Sequence, residues 1–274
     1  MELGDVTWGD VVSDDDGVLV VRGTVGGDPV VVKRYAEPAM AREIAHHQLL
    51  ELLGVPTLPL LGAGEDWLVR ADPVDAGYRP GTPDDLYDPH VARLVAGWYD
   101  QLHAAGESVP LAGLAGLSSE YDLVDAAGLG RVAARWPDLA LQVAWAQDQL
   151  PEWRRVLADL PRTLTHNDFW YTNLAVAWDD SAALMVDHHL VGAGLRAGDV
   201  RNVRLSLSAE AGAAFREEYL RLAAARGVEW DERAAAVDEP LGHLAALVLA
   251  SEADEAPAWA GESLAWLAAQ GPGG

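Results

Sequence analysis

The sequence predicts an α+β fold with two lobes: a small β-rich N-terminal lobe containing one main helix, and a larger, mostly helical C-terminal lobe. Runs of β-branched residues separated by glycine turns characterise the first quarter of the 274 residues. Apolar residues at three- and four-residue spacing characterise the rest. Asp72–Asp84 carries three prolines and two glycines and is the expected joint. We therefore expect the lobes to span residues 1–72 and 73–274.

The N-terminal lobe is expected to contain three strands, one helix and two further strands, in that order. Gly26 and Gly27 lie between two β-branched runs, which favours a tight antiparallel hairpin. The following segment has apolar residues at helical spacing, and Gly54 is a typical helix stop. These elements are expected near 6–12, 17–24, 29–35, 39–53 (the helix), 59–61 and 67–69.

The C-terminal lobe is expected to consist of helices interrupted by one short β-rich segment. Val91, Trp98 and Leu102 lie on one face of a helix that runs to about Ala105. Pro240 should break or kink the penultimate helix, because proline lacks an amide donor. The other helices are expected near 120–136, 139–160, 209–226, 231–251 and 258–269, and the strands near 174–178 and 183–186.

Composition narrows the classes of partner. The chain has no cysteine, which excludes disulfides and iron–sulfur clusters. Its 43 acidic and 19 basic side chains give a net charge of −24, which repels nucleic acids and anionic membranes and favours a cationic ligand. No stretch reaches the roughly 20 apolar residues of a membrane-spanning helix, and no secretory signal is visible. We expect a cytoplasmic monomer without a nucleic-acid or membrane partner.

Lys33 is the only lysine in the chain, against eighteen arginines. A sequence with so strong a preference for arginine retains lysine where a compact ammonium is required that a planar guanidinium cannot replace. A chance occurrence is the simpler alternative. The position of Lys33, at the end of a predicted strand, is therefore to be compared with the chemistry around it.

One segment carries the pattern of a reactive site. His166, Asp168 and Asn173 lie within THNDFWYTN, and Asp187 ends the apolar run ALMVD. Asn173 and Asp187 flank two predicted strand ends, so their oxygens could face one Mg²⁺ ion. Asp168 could accept a hydrogen bond from an attacking hydroxyl, and His166 would brace the loop. A simpler interpretation is that these residues cap and turn a loop, but the full spacing favours phosphoryl transfer.

The segments THNDFWYTN and ALMVDHH resemble the catalytic and metal-binding segments of the aminoglycoside phosphotransferase and choline-kinase-like family. The resemblance extends over most of the chain and implies a protein-kinase-like fold that uses ATP and Mg²⁺. It also implies that Asp168 is the catalytic base and His166 the loop histidine. By the same resemblance, Asn173 and Asp187 are the magnesium ligands.

Further positions follow the same family pattern. Lys33 stands where the family places the lysine that pairs with nucleotide phosphates, and Glu43 matches the helical glutamate that holds this lysine. Gly198-Asp199 fits the glycine–aspartate pair that follows the metal-binding segment. Asn202 departs from the pattern, since the family often has a further aspartate there.

The nucleotide contacts outside Lys33 are expected in two segments. A phosphate-facing loop should lie at Ser13–Gly17, where backbone amides and the ends Ser13 and Gly17 would approach the phosphates. Its three aspartates would repel phosphate unless Mg²⁺ screens them, they point outward, or the strand register differs; Gly23, Gly26 and Gly27 are the alternative loop. The base is expected at Arg70, Ala71 and Asp72.

Other features have simpler explanations. The pairs His46-His47 and His188-His189 lack a carboxylate at metal spacing, so we interpret them as structural or surface residues rather than as zinc ligands. Trp170 is the best candidate among the eleven tryptophans to stack on a substrate ring. Acidic clusters near the C-terminal helices are solvated faces by default, and some could bind ammonium groups of an acceptor.

The sequence therefore predicts a small-molecule kinase that transfers the γ-phosphoryl group of ATP to a hydroxyl of a cationic antibiotic and so confers resistance. An aminoglycoside is the first candidate acceptor, and a basic peptide of the capreomycin or viomycin type is the second. The alternatives are a metabolic kinase for an amino sugar or choline-like alcohol, and a nucleotide-binding pseudokinase.

Overall fold

A five-stranded antiparallel sheet forms the N-terminal part of the computed structural model, which describes residues 1–15, 17–111 and 116–271. The strand order is β1-β2-β3-β5-β4, and one helix lies between β3 and β4 in the chain. The predicted sequence of three strands, one helix and two strands is confirmed. The elements are β1 (Val6–Asp15), β2 (Val18–Val25), β3 (Asp28–Tyr35), α1 (Arg42–Leu52), β4 (Leu60–Ala63) and β5 (Trp67–Ala71).

The glycine pair Gly26-Gly27 makes the predicted hairpin between β2 and β3. Both residues have positive φ, 63° and 103°, as a two-residue turn of the primed type requires. Val25 pairs directly with Asp28, so the turn fixes the register of the whole hairpin. Strand β3 is the central strand of the sheet, which explains why its valines are buried on both faces.

The rest of the chain is mainly helical, with two small sheets. Strand β6 pairs with β8 and β8 with β9, whereas β7 pairs with β10. The elements are β6 (Tyr78–Pro80), α2 (Pro89–Glu107), α3 (Ala126–Arg135), α4 (Ala140–Ala158), β7 (Thr163–Thr165), β8 (Leu174–Ala177), β9 (Ala183–Met185), β10 (Gly192–Gly194), α5 (Arg196–Ser206), α6 (Ala209–Ala225), α7 (Glu232–Ala250) and α8 (Gly261–Ala268). Short 3₁₀ turns cover Leu3–Asp5, Pro83–Tyr87, Glu120–Leu123, Pro137–Leu139, Tyr171–Asn173 and Ala258–Ala260.

Helix α2 supplies the centre of the C-terminal core. Asp88 caps its N-terminus by accepting from the amide of His90, and Pro89 occupies the first turn, where its missing amide costs nothing. Trp98, Tyr99 and Leu102 are almost fully buried and pack against α6, β7 and β9. This core fixes the position of the loop that follows β7.

Two helices differ from the expectation. The helix predicted over 120–136 is a 3₁₀ turn followed by α3, because Asp125 caps a new helix by accepting from the amide of Gly128. Pro240 does not break the penultimate helix, since α7 runs continuously from Glu232 to Ala250, and the alternative of a kink stays a prediction.

The strand pairings show which sheet each strand near the expected lobe boundary belongs to. Strand β5 ends at Ala71, and the next strand, β6, pairs with β8 of the C-terminal part. The division between residues 72 and 73 stays a prediction. No helix within the described ranges is long and apolar enough to cross a membrane.

Candidate active site

Lys33 lies at the centre of a cluster of charges between the sheet and the C-terminal part. Its side chain is 5% exposed. The ammonium Nζ donates to both carboxylate oxygens of Glu43, at 2.8 and 2.9 Å, and to Oδ2 of Asp187 at 2.8 Å. Three carboxylate oxygens from two distant segments therefore converge on one small cation, a geometry that suits ammonium better than guanidinium.

Glu43 comes from the first turn of α1 and is 1% exposed. A second β3 side chain also holds it: the hydroxyl of Tyr35 donates to Oε2 at 2.7 Å. Burial, together with the charge of Glu43, raises the pKa of Tyr35 above its ordinary value, so the phenol stays a donor. Tyr35 is not among the predicted site residues, although its spacing of two residues from Lys33 places both on one face of the strand.

The loop after β7 is held by Asp199 at the start of α5. Its carboxylate accepts from the backbone amides of His166 and Asn167, each at 2.9 Å, and from Nε2 of His103 at 3.0 Å. Asn167 has a positive φ of 64°, which turns the chain sharply before Asp168. Asp199 thus fixes the loop through its backbone, a contact that the family resemblance indicated only as a glycine–aspartate pair.

His166 is fully buried and braces the loop. Its Nε2 donates to the carbonyl oxygen of Asp187 at 2.6 Å, and its Nδ1 contacts the hydroxyl of Tyr99 at 3.4 Å. Both ring nitrogens are therefore engaged within the protein. This contact connects the loop to the Asp187 segment, and the role of His166 in the reaction stays a prediction.

Asp168 and Asn173 contact each other across the loop. The amide Nδ2 of Asn173 donates to Oδ2 of Asp168 at 2.7 Å and to its carbonyl oxygen at 3.2 Å. Because the amide nitrogen faces Asp168, Oδ1 of Asn173 is the atom left to ligate a metal. The carbonyl oxygen of Asn173 accepts from the amide of Val186 at 2.9 Å, which brings this residue beside Asp187.

Asp187 is the carboxylate that contacts both Lys33 and His189. Its Oδ2 accepts from Lys33, and its Oδ1 accepts from Nδ1 of His189 at 2.7 Å. Burial acts to raise the pKa of Asp187, but the ammonium of Lys33 and the bond from His189 outweigh it and hold that pKa well below the ordinary value. The side chain is therefore a carboxylate at neutral pH.

The oxygen set of Asn173 and Asp187 fits Mg²⁺. The ion prefers hard oxygen ligands and takes one or two from protein, with the others from phosphates and water. Within residues 1–15, 17–111 and 116–271, no group of three or more His, Cys, Asp or Glu side chains could hold a metal. A site of one carboxylate and one amide oxygen matches an ion delivered with a nucleotide, rather than a metal enclosed by protein.

The four paired histidines divide into two kinds. His46, His47 and His188 are buried between α1 and the Asp187 segment, with the rings of His47 and His188 5.2 Å apart. They are structural, and Nδ1 of His46 donates to the carbonyl oxygen of His188 at 2.8 Å. His189 instead contacts Asp187 directly, which the interpretation as a structural or surface residue missed.

The loop between β1 and β2 lies at the same end of the sheet as the end of β3. Ser13 pairs with Val20, and Val20 pairs with Lys33, so all three side chains share one face of the sheet. Gly17 has a φ of 75°, and its carbonyl oxygen accepts from the amide of Ala36 at 2.8 Å. Asp16, the last of the three aspartates, lies outside the described residues.

The alternative loop is at the wrong end of the sheet. Gly26 and Gly27 turn from β2 into β3 at the end remote from Tyr35 and Ala36. Gly23 lies inside β2, opposite Val30. The role of Ser13 and Gly17 in binding phosphate stays a prediction, and the strand register is compatible with it.

The segment expected to hold the base uses its amides within the fold. The amide of Ala71 donates to the carbonyl of Pro59 at 3.0 Å, and that of Asp72 to the carbonyl of Pro29 at 3.3 Å. The carboxylate of Asp72 accepts from Arg22 at 3.1 Å. The side chain of Arg70 turns inward and donates to the carbonyl of Val186. A nucleotide contact by these residues stays a prediction, and it would not use the amides of Ala71 and Asp72 as they stand.

Trp170 lies in the loop itself, two residues after Asp168. Its side chain is 44% exposed, and its ring packs at 5.3 Å against Tyr171. An exposed indole two residues from Asp168 is available to a ligand, which is the property expected from the sequence.

Comparison with known proteins shows where this arrangement belongs. A macrolide 2′-phosphotransferase from Brachybacterium faecium is 18% identical with a TM-score of 0.62, over 99% of this chain and 95% of that one. A choline/ethanolamine kinase family protein from Mesorhizobium loti is 16% identical with a TM-score of 0.63, over 96% and 87%. A spectinomycin phosphotransferase in complex with ADP and spectinomycin is 9% identical with a TM-score of 0.58, over 96% and 88%.

At these identities the solved structures establish the fold, which is that of the protein-kinase-like phosphotransferases. A search of curated protein sequences finds no match. The model of the phosphotransferase enzyme family, APH, matches residues 12–236, a span that includes Lys33, the loop with Asp168, and Asp187. The chain therefore belongs to the APH family of phosphotransferase enzymes.

Proposed function

We propose that this phosphotransferase transfers the γ-phosphoryl group of ATP to a hydroxyl of a cationic antibiotic, either an aminoglycoside or a basic peptide of the capreomycin or viomycin type. The observation that carries the proposal is the continuous set of contacts from Glu43 through Lys33 to Asp187, beside the hydrogen-bonded pair Asp168 and Asn173. These groups are the ones that phosphoryl transfer requires within one cleft.

The nucleotide end of the reaction depends on Lys33. Its ammonium is compact and buried, and Glu43 fixes its direction. Because its third N–H donates to Asp187, a phosphate oxygen would take the place of Asp187 as the acceptor of that hydrogen. Asn173 and Asp187 would hold Mg²⁺, which supplies charge neutralisation of the phosphates when bound. Tyr35 keeps Glu43 in place during turnover.

The acceptor end depends on Asp168. Its carboxylate would accept the hydrogen of the acceptor hydroxyl as the oxygen attacks, and it would orient that hydroxyl in line with the bond that breaks. Asn173 donates to one oxygen of the carboxylate, which leaves the other oxygen to the acceptor. The site lies in the cytoplasm under this proposal, where ATP is supplied.

The charge of −24 supports a cationic acceptor. Similar folds act on a macrolide, spectinomycin, or choline and ethanolamine according to their names. The last pair favours the second candidate function, a metabolic kinase for a choline-like alcohol or amino sugar. A pseudokinase without turnover is disfavoured by the complete set of Lys33, Glu43, Asp168, Asn173 and Asp187.

A panel of acceptors with γ-labelled ATP and Mg²⁺ tests the proposal. It should include aminoglycosides, basic peptide antibiotics, choline, ethanolamine, amino sugars and neutral sugars, with transfer read as label on the acceptor. We expect a cationic antibiotic to be labelled with the highest kcat/KM. Preferential labelling of choline or an amino sugar would select the metabolic kinase, and binding of ATP without transfer to any acceptor would select the pseudokinase.

A further inference from the structure

Arg70 is a buried cation whose presence needs an explanation. It lies near the end of β5 and is 6% exposed. In the sheet it pairs with Val31, two residues before Lys33, so Arg70 and Lys33 point to the same face. Arg70 is predicted from the sequence to lie beside the nucleotide base, but its guanidinium turns towards the C-terminal part.

The guanidinium contacts the peptide group next to the proposed metal ligand. Its Nη1 donates to the carbonyl oxygen of Val186, the residue directly before Asp187. The amide of the same Val186 donates to the carbonyl oxygen of Asn173 at 2.9 Å. Val186 therefore connects both proposed magnesium ligands, and Arg70 holds this connection from the sheet.

The next peptide group is fixed in the same way from another direction. The carbonyl oxygen of Asp187 accepts from Nε2 of His166 at 2.6 Å. The backbone on both sides of the Asp187 side chain is thus held by hydrogen bonds, one from β5 and one from the loop after β7. Such anchoring restricts the directions in which the carboxylate can point.

Burying an arginine to make one backbone hydrogen bond lowers the stability of the fold. Among the described residues, no carboxylate forms an ion pair with Arg70, and its buried Nε has no hydrogen-bond partner. A buried cation without a counter-charge costs stability that an apolar side chain of similar size would not. The hydrogen bond from Arg70 to Val186 therefore explains the presence of Arg70 better than a contribution to core stability does.

We infer that Arg70 is a positioning residue for Mg²⁺: by holding the carbonyl of Val186, it sets Asp187 and Asn173 at the separation that the metal-bound nucleotide requires. The inference rests on the proposed function, because it needs a metal–nucleotide complex in this cleft. It assigns Arg70 no contact with the nucleotide base.

Thermal stabilisation by ATP, measured first in EDTA and then across a Mg²⁺ titration, tests the inference without relying on turnover. In the wild-type protein, ATP alone should raise the Tm, and Mg²⁺ should raise it further. In Arg70→Met the effect of ATP alone should persist, whereas the Mg²⁺ concentration for half of the additional shift should rise about tenfold or more.

Two further variants separate positioning from a general loss of structure. Arg70→Lys keeps a donor and a charge, so it should fold and recover part of the lost Mg²⁺ response even where Arg70→Met does not fold. Arg34→Met removes an arginine of β3 that is half-exposed and pairs with Asp66, and its Mg²⁺ response should match that of the wild type.

The following outcomes would contradict the inference. An unchanged Mg²⁺ midpoint in folded Arg70→Met, or in Arg70→Lys as the only folded variant, would overturn it. Loss of the shift with ATP alone would mean that Arg70 contacts the nucleotide itself. If ATP does not stabilise even the wild-type protein, the proposed function is wrong, and this inference fails with it.

Discussion

The environment of Lys33 explains how one lysine persists in a chain of eighteen arginines. Glu43 presents both of its oxygens to Nζ, and Asp187 presents a third, all within 2.9 Å. An ammonium can satisfy three acceptors at tetrahedral directions, whereas the planar fork of arginine would displace one of them. This geometry favours the interpretation that the lone lysine is required locally over an accident of composition.

Lys33→Arg should keep the charge and lose most of the activity. We expect kcat/KM to fall on the order of 10²-fold, because a guanidinium between Glu43 and Asp187 moves the phosphate-binding charge out of place. Steady-state kinetics with ATP and the best acceptor measure this. Arg34→Lys, the reverse exchange at the adjacent exposed position, is the control and should behave as the wild type. Full activity in Lys33→Arg would mean that the site does not need an ammonium.

Asp187→Asn should weaken the response to Mg²⁺ more than the binding of ATP alone. The amide supplies no charge to a hard cation, so the Mg²⁺ concentration for half-maximal turnover should rise by about tenfold or more, and excess Mg²⁺ should rescue part of the activity. Asp179→Asn, an exposed exchange in the turn of the same hairpin, is the control. An unchanged Mg²⁺ dependence would place the metal at other residues.

At the scale of elements, the packing of α7 on α8 depends on a neutral histidine. His243 of α7 stacks on Trp266 of α8 at 4.9 Å and contacts Ser263 at 3.0 Å. Burial, with a smaller effect of Arg201, lowers the pKa of His243 from 6.5 to about 4. The unfolded chain therefore binds a proton between these pH values that the folded chain does not, so acid favours unfolding.

This pKa predicts how stability depends on pH. The contribution of His243 is complete above about pH 6.5 and is lost as the pH falls towards 4. It should make the wild-type protein about 2 kcal/mol more stable at pH 7 than at pH 5. Urea unfolding of wild type and His243→Gln at both pH values isolates the effect, because other groups titrate alike in both. The inference about His243 fails if both proteins lose the same stability.

The elements that the sequence predicts well are those with a strong period or a distinctive turn. The β2–β3 hairpin follows from two glycines between β-branched runs, and α2 follows from its apolar face. Helix α5 was not predicted, because Arg196–Ser206 is short and polar and only Val200 and Val203 bury large apolar groups. Strands β6, β7 and β10 have three residues each, too few to show an alternating pattern.

Helix α7 continues through Pro240 and makes a close contact with α5 just beyond it. Gly242 lies two residues later, and a β-carbon there would collide with the guanidinium of Arg201. Arg201 reaches this position because it pairs with Asp238 at 2.9 Å, one turn earlier in α7. Glycine at position 242 therefore leaves room for the guanidinium of Arg201, a contact that no pattern in the helix sequence itself reveals.

The residues of the candidate site likewise fall into two groups, those that the sequence identifies and those that only the structure identifies. Lys33, Glu43, Asp168, Asn173 and Asp187 could be identified because their spacing along the chain carries the family pattern. The residues that hold them, Tyr35, His189, Arg70 and the backbone contacts of Asp199, depend on which segments meet in space. Spacing in one sequence cannot show such contacts, and the one that Arg70 makes with Val186 joins positions 116 residues apart.

At the scale of the whole molecule, the surplus of acidic side chains should draw in a cationic acceptor. Added salt screens this attraction over about 8–10 Å near physiological ionic strength. The KM for the acceptor should therefore rise about tenfold or more from low to high salt, with little change in kcat, while the KM for ATP should not rise likewise. A neutral best acceptor with a salt-independent KM would contradict the cationic assignment.

The candidate site is built from both the N-terminal and the C-terminal part of the chain. Lys33 and Arg70 reach from the N-terminal sheet to the Asp187 segment, and Asp168 comes from the loop after β7. Asp168 touches neither Lys33 nor Arg70 in the described hydrogen bonds, although its Oδ2 accepts from Asn173. We therefore expect a change at Asp168 to affect acceptor contacts more than the contacts of Lys33 with the nucleotide. The proposed mechanism depends on this separation.

Asp168→Ala tests that claim most directly when nucleotide binding and label transfer are measured on the same preparation. We expect MgATP to stabilise the variant as it does the wild type, while transfer of the γ-phosphoryl label to the best acceptor falls by on the order of 10²-fold or more in kcat. Near wild-type turnover in Asp168→Ala would contradict the assignment of the base and, with it, the location of the reaction in this loop.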